Sequence, residues 1–226
     1  MYNLNLREAL ETPLQVKNLC IDTGELKEFL NSGFLFTNLQ ELILQDLGLV
    51  EIPGFIFDFC HLQILDLAFN NIKSVPSEIG KLVNLYALNL CSNQIAFLPG
   101  SIESLIQLKT LDISDNKVND LPEEIGKLVL LENLVLSGNL LKKLISQIGE
   151  LSKLGSLYVN KNSLKELPKE IGYLKELVEL QVVDNELTDI PEEILQLDIP
   201  ILWLDENLFS PDVKNKIKLY QPDAQL

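Results

Sequence analysis

The sequence predicts an α/β repeat solenoid, in which short coils stack into a horseshoe with a parallel sheet of about nine strands on its concave side. We expect short helical or 3-10 segments on the convex side and a helical cap at each end. Two observations predict this fold. One phrase recurs along the chain every 23 residues. Most copies join a leucine pattern typical of a strand to a proline typical of a turn.

An asparagine recurs at this 23-residue interval. The frame L-x-x-L-x-L-x-x-N places six asparagines 23 residues apart and a seventh 22 residues later: Asn70, Asn93, Asn116, Asn139, Asn162, Asn185 and Asn207. Counting back by 23 reaches Leu47 and then Gly24, where the leucine frame continues without its asparagine. The sequence therefore predicts nine repeats, from about residue 16 to residue 209.

The leucines of a repeat predict a strand on one side of the coil, and the proline predicts the returning connection on the other. L-x-L alternates apolar and variable positions, which is the period of a strand with one buried face. A parallel neighbour requires a returning connection, and the Leu-Pro step that precedes Ile-Gly can open it, because proline has no N–H to lose there. Glu123 and Glu124 follow Pro122, at the end of the segment that favours carboxylates. One repeat, at Leu144-Ile145, lacks the proline.

The asparagine column predicts how the coils are joined. Backbone amides face inward at the turn after each strand, and the asparagine side chain offers both a donor and an acceptor to adjacent coils. An unpaired buried amide costs about 1–3 kcal/mol. Leu47 lacks these groups, so we expect the second coil to be looser or to bind water at this point.

Both ends of the stack need caps, because a terminal coil has no neighbour. Residues 1–15 are predicted to form an N-terminal cap around a short amphipathic helix. Residues 210–226 are predicted to form a C-terminal cap, with Ser210 as the N-cap, Pro211 in the first turn, and Val213, Ile217 and Tyr220 on one helix face. We therefore expect a single complete domain over residues 1–226.

These residues resemble the leucine-rich repeat family, in its 23-residue LPxxIGxL class. "LREALETPLQVKNLCI" before the first repeat and "NLFSPDVKNKIKLYQPDAQ" at the end resemble the leucine-rich-repeat proteins of pathogenic spirochaetes more narrowly. The family resemblance implies a rigid module that binds another protein and needs no cofactor. The narrower one implies a bacterial, virulence-associated protein that is secreted or displayed on the surface and engages host proteins.

Composition excludes several other roles. A net charge of −15 and a pI of about 4.4 disfavour nucleic acid and anionic membrane surfaces as partners. A single histidine, His61, argues against a His-based zinc site or a Ser-His-Asp triad. The three cysteines are too few for a disulfide framework and are expected to be reduced and packed. No signal peptide is visible, so localisation stays open: secreted if a leader was removed, otherwise cytoplasmic.

The strand positions between the leucines predict a concave display surface. Seven residues are the predicted partner-binding set: Asp66, Tyr86, Asn89, Asp112, Tyr158, Gln181 and Trp203. The two aspartates could also be read as an acid–base pair, or with Cys91 as a metal site, but an ordinary polar surface is favoured over both. Aromatic residues on a sheet face are preferred interface anchors. The alternative for Trp203 is that it packs beneath the C-terminal cap.

On the convex side, phenylalanines stand at unusual positions of the repeat. Phe34, Phe55 and Phe57 fall where other repeats have glutamate or glycine, and an exposed apolar patch would mark a second interface. The alternative is local repacking, in which Phe34 turns inward to fill the space beside Gly33. The interface requires Phe55 and Phe57 to be more than half exposed.

Three functions remain open. The favoured one is a non-enzymatic module that binds a protein on its concave face as a monomer or weak dimer, without metal or cofactor. The second is an intracellular adaptor or scaffold. The third is the recognition part of a secreted effector enzyme such as a ubiquitin ligase, for which this chain has no catalytic domain.

Overall fold

The computed structural model describes residues 5–226 and contains one parallel sheet whose strands follow chain order. The predicted horseshoe with a concave sheet is confirmed. Register partners lie 23 residues apart, as in Leu42, Leu65 and Leu88, and 22 apart at the last pair. The nine strands are β1 Asn18–Cys20, β2 Glu41–Ile43, β3 Ile64–Asp66, β4 Ala87–Asn89, β5 Thr110–Asp112, β6 Asn133–Val135, β7 Ser156–Tyr158, β8 Glu179–Gln181 and β9 Ile201–Trp203.

The convex side consists mainly of 3-10 segments, as predicted. Five-residue segments follow strands β2 to β7: Gly54–Asp58, Ser77–Lys81, Gly100–Ser104, Glu123–Lys127, Ser146–Glu150 and Lys169–Tyr173. The 3-10 turn Pro13–Gln15 precedes β1, the first coil uses α2, Leu26–Ser32, and the short 3-10 turn Gly33–Leu35, and the eighth coil uses α3, Glu192–Leu195. Pro122 stands one residue before its segment rather than inside it, and its carbonyl accepts from the Ile125 amide at 3.1 Å.

Glycine follows isoleucine in four of these six segments, where the next coil approaches closely. A Cβ at Gly149 would lie 2.5 Å from the Glu170 carbonyl oxygen, and one at Gly172 would lie 2.6 Å from the Glu193 Cβ. Real side chains do not tolerate such distances, so glycine sets how tightly the convex segments stack. The leucine positions behind the sheet are fully or almost fully buried and form one continuous core.

The asparagine column is continuous along the turn that follows each strand. Asn139, for example, accepts from the Val118 amide at 2.9 Å and donates to the carbonyls of Ile113 and Leu136 at 2.9 and 3.0 Å. Each asparagine follows a residue with positive φ, such as Gly138 at 68°. One side chain therefore satisfies backbone groups of its own coil and of the coil before it.

The expectation for Leu47 is wrong. Its backbone amide donates to the Asn70 Oδ1 at 3.1 Å, so the next coil supplies an acceptor for it. The Leu49 amide donates to the same oxygen at 3.0 Å. The second coil therefore needs no water to satisfy these amides.

The N-terminal cap contains α1, Leu6–Glu11, whose N-cap Asn5 accepts from the Glu8 amide at 3.0 Å. Leu6 and Ala9 are fully buried against the first coil. Residues 1–4 of the predicted cap lie outside the described part of the chain. The helix predicted from the amphipathic pattern is therefore present over the residues that the structure describes.

The C-terminal cap contains α4, Pro211–Tyr220, and Ser210 accepts from the Val213 amide at 3.3 Å as expected. Ile217 is fully buried, but Tyr220 is 44% exposed and does not share its buried face. Beyond the helix, the Gln225 amide donates to the Leu202 carbonyl at 2.9 Å and the Gln225 carbonyl accepts from the Leu204 amide at 2.8 Å. The chain end thus covers the edge of β9 and leaves fewer unpaired groups there.

Candidate functional site

The concave face carries three rows of variable side chains, at the positions immediately before, immediately after and three residues after the central leucine of each strand. Six of the seven predicted binding residues lie in one row, the position after the central leucine of each strand: Asp66, Asn89, Asp112, Tyr158, Gln181 and Trp203. The seventh, Tyr86, precedes β4 on the flank and is 40% exposed. The structure therefore brings six of them onto a single rigid surface and sets Tyr86 beside it.

The N-terminal half of this row forms a hydrogen-bonded group around Asp66. The Asp66 carboxylate accepts from the side-chain amides of Gln45 at 2.7 Å and Asn89 at 3.0 Å. Asp112 bonds instead within its own strand end, to the amide and hydroxyl of Ser114 at 2.9 and 2.6 Å. The two aspartates share no partner, and each is engaged in supporting the local surface rather than in a carboxylate pair.

The other chemical alternatives find no support in the described residues. No group of three His, Cys, Asp or Glu side chains is arranged there to hold a metal ion. The Cys91 sulfur lies 3.2 Å from the Ser92 hydroxyl. Partial desolvation of the thiol, followed by the nearby Glu25 carboxylate, raises the pKa of Cys20, which disfavours the nucleophilic thiolate. Cys20 and Cys60 are exposed, so the expectation of packed cysteines is wrong.

The C-terminal half of the concave face holds a second hydrogen-bonded network, centred on Glu179. Its two carboxylate oxygens accept from the Tyr158 hydroxyl and from the Gln181 side-chain amide, each at 2.6 Å. Gln181 in turn accepts from the Asn160 side-chain amide at 2.9 Å, and Asn160 accepts from the Val183 backbone amide at 2.8 Å. Four side chains on two strands therefore hold one another in place.

Two members of this network, Glu179 and Asn160, were not singled out from the sequence. Glu179 is in β8 and Asn160 lies two residues after β7, both in the displayed rows, but the sequence does not show that their side chains meet. Burial, and after it the hydrogen bond to Glu179, raise the pKa of Tyr158, so its hydroxyl remains a neutral donor at physiological pH. An aromatic residue placed beside polar residues in the next strand is the signal that points to such a network.

Trp203 stands at the end of the row, next to Gln181 in register. Its side chain is 37% exposed, so the C-terminal cap does not cover it completely. The isolated bridge between Trp203 and Gln225 involves the backbone and fixes the strand from its outer side. Trp203 is therefore available on the concave face, although part of its surface is buried.

The convex phenylalanine interface is not formed. Phe57 is 5% exposed, and Phe55 is partly buried with its ring centroid 5.4 Å from that of Phe29. A Cβ at Gly33 would meet the rings of Phe29 and Phe55 at 2.7 and 2.8 Å, so these two rings fill the space beside the glycine. Phe34 remains 55% exposed and does not turn inward. The repacking occurs, but with different phenylalanines from the one expected.

Two surface features on the flanks were missed by the sequence reasoning. Val83, Ile106 and Val129 occupy the same position in three successive coils and are 45%, 55% and 47% exposed. Their 23-residue spacing was visible in the sequence. On the other flank, a cleft of about 640 Å³ is open to solvent, and it is lined by Asn119, Asp120, Lys142, Lys143, Lys165 and Glu166. Five of its six lining residues carry a charged side chain.

Sequence models of one repeat family match two overlapping parts of the chain. A model of a leucine-rich repeat region matches residues 89–198, and a leucine rich repeat model matches residues 37–95. The chain belongs to the leucine-rich repeat family. Among curated proteins, none matches this leucine-rich repeat protein. No helix in residues 5–226 has the length and apolar content needed to cross a membrane.

Solved structures agree with the family. The chain is similar to a plant peptide hormone receptor, RGFR1, solved in complex with RGF2: identity is 30%, the TM-score is 0.72, and the match covers 86% of this chain and 32% of the receptor. It is similar to the Arabidopsis receptor kinase HAESA, in complex with the peptide hormone IDA and the co-receptor SERK1, at 28% identity and a TM-score of 0.73, covering 86% and 34%. The leucine-rich repeat chain thus spans about a third of these receptors.

A leucine-rich-repeat protein of Leptospira interrogans aligns over 100% of this chain and 99% of its own, at 24% identity and a TM-score of 0.48.

Proposed function

We propose that this protein is a non-enzymatic module that binds another protein on its concave face. The observation that carries the proposal is the row from Asp66 to Trp203, which displays polar and aromatic side chains on a rigid sheet. Binding groups held by their own hydrogen bonds lose little freedom when a partner arrives. The similar plant receptors RGFR1 and HAESA were solved in complexes with RGF2 and with the peptide hormone IDA, which supports a peptide or protein as the partner.

Two more specific forms of this function differ in where the protein works. The resemblance to spirochaetal proteins favours a secreted or surface protein that engages host proteins. The two exposed free thiols, Cys20 and Cys60, favour an adaptor in a reducing compartment, because exposed thiols persist unoxidised there. Nothing in the described residues supports a role as part of an effector enzyme.

The test is a capture experiment with a matched control. The wild-type protein is compared with Tyr158→Ala plus Trp203→Ala, and with Phe34→Ala plus Tyr173→Ala, which removes two exposed aromatic side chains from the convex side. We expect the concave double variant to lose the partner and the convex one to retain it. Undiminished capture by the concave variant would contradict the proposal.

A further inference from the structure

Three neighbouring strands place two aromatic side chains on either side of one amide. Tyr158, Gln181 and Trp203 are register partners in β7, β8 and β9. Adjacent strands lie about 4.8 Å apart, so the backbones of the two aromatic residues are about 9–10 Å apart. A flat group contributed by a partner can therefore lie over Gln181 and contact an aromatic ring at its edge.

Glu179 supplies a negative charge beside this aromatic pair. Its oxygens accept from Tyr158 and Gln181, and each carboxylate oxygen has a further lone pair for a donor from a partner. The two hydrogen bonds fix the carboxylate in one orientation. The site thus combines an aromatic surface with an oriented anion before any partner binds.

The rest of the concave face has the same sign of charge. Its three rows of display positions contain no lysine, arginine or histidine, and they contain six carboxylates: Asp22, Glu41, Asp66, Asp112, Glu179 and Asp205. The lysines stand at other positions of the repeats; the segment 139–175, which includes β7, holds seven lysines and three glutamates, and none of those lysines is in a strand. This distribution attracts a positively charged partner to the concave face and opposes an acidic one.

We propose that the concave face binds an arginine-containing basic segment of a partner protein, with one guanidinium placed between Tyr158 and Trp203 and bonded to Glu179. Arginine fits better than lysine because its planar guanidinium stacks on aromatic rings and donates two parallel N–H bonds to a carboxylate. This inference rests on the proposed function, since it names the kind of partner that the same face takes.

The chain contains one tryptophan, Trp203, so its fluorescence reports on this site alone. The folded protein is titrated at low ionic strength with an octapeptide that alternates glycine and arginine. We expect a saturable change in tryptophan emission that weakens as salt is added. The lysine peptide of the same length should bind several-fold more weakly, and the glutamate peptide should give no change. The proposal would be overturned if the arginine peptide caused no change in tryptophan emission. Equal changes with the arginine peptide and with a neutral glutamine peptide would also overturn it.

Two variants separate this site from general attraction to an acidic protein. Glu179→Gln should weaken binding of the arginine peptide about tenfold, because one charged hydrogen-bond partner is lost. Glu166→Gln removes one exposed carboxylate from the flank cleft and should leave the affinity within about twofold. Equal weakening by both variants contradicts the proposed site. Thermal unfolding checks that each variant is folded.

Failure of this inference is distinguishable from failure of the proposed function. If capture of the partner depends on Tyr158 and Trp203 but the arginine peptide does not change the tryptophan emission, the proposed cationic partner is wrong. Binding on the concave face is then still supported. Capture that is indifferent to both aromatic residues overturns the function itself.

Discussion

The side-chain oxygen of Asn70 accepts the backbone amide of Leu47, at 3.1 Å, from the coil before it. The same oxygen accepts the Leu49 amide at 3.0 Å, whereas the Asn70 side-chain amide donates to the carbonyls of Leu44 and Leu67 at 2.7 and 2.9 Å. One side chain therefore ties two coils together and also serves the coil in which the asparagine column is interrupted.

Replacing Asn70 should cost more stability than replacing a later member of the column. Asn70→Ala leaves two buried amides and the Leu44 carbonyl without this partner, whereas the Leu67 carbonyl still accepts from the Asn93 side-chain amide at 2.9 Å. We expect a loss of about 2–4 kcal/mol in the free energy of unfolding. Asn162 accepts one amide, that of Leu141, and is only partly buried, so Asn162→Ala should lose about 1 kcal/mol less. Urea denaturation of both variants measures the difference; equal losses would contradict the double role of Asn70.

The glycine of the convex segments is predicted to be a packing requirement. Gly149→Ala brings a Cβ to 2.5 Å from the Glu170 carbonyl, and the backbone has to shift. We expect a loss of about 1–3 kcal/mol in stability. Gly54→Ala is the control, because nothing lies within 4 Å of its added Cβ, and it should be neutral or slightly stabilising. Thermal unfolding compares the two, and a harmless Gly149→Ala would contradict the close stacking.

The missing proline is predicted to be replaceable. Ile145 has φ −76° and ψ 149°, which is close to Pro99 at −75° and 149° in an earlier repeat. Proline suits this conformation, so Ile145→Pro should raise the free energy of unfolding by about 0.4–1 kcal/mol through the unfolded state. Lost apolar contact of the partly buried isoleucine works against the gain. Chemical denaturation measures the change. A loss of more than about 1 kcal/mol in the free energy of unfolding would show that the Ile145 side chain contributes more to stability than a proline-like backbone does.

Glu179 is predicted to influence the ionisation of Tyr158. Burial is the larger cause of the raised pKa, and the hydrogen bond to Glu179 is the next. Glu179→Gln should therefore lower the pKa of Tyr158 but leave it above its ordinary value. Because the folded state holds the proton more tightly, this contribution to stability is complete below the ordinary tyrosine pKa of about 10 and is lost as pH rises through the folded value. Ultraviolet titration against Tyr158→Phe tests it: an unchanged pKa would contradict the contact.

The sequence predicts most of this fold because the same pattern of residues recurs in successive repeats. The period of two in L-x-L, the 23-residue asparagine interval and the proline step place strand, turn and return in order. The site was predictable only as rows of positions. That Tyr158 donates to Glu179 depends on side-chain geometry across two strands, which periodicity does not encode.

The errors in the sequence analysis have the same origin. Phe34, Phe55 and Phe57 were compared with one repeat frame, but Gly33 changes the space around them. Phe29, which belongs to α2 in the first coil, then packs with Phe55. Local packing therefore determines the structure of the irregular coils at the end of the stack, whereas the repeat pattern determines that of the central coils.

Blocking one face at a time tests most directly whether the concave surface is the binding surface. In a background in which Cys20, Cys60 and Cys91 are replaced by serine, Asn133→Cys in β6 and Ser146→Cys in the convex segment of the same coil are each coupled to a bulky maleimide. We predict that the Asn133→Cys adduct loses the captured partner and that the Ser146→Cys adduct keeps it. Retention by the first and loss by the second would contradict the account.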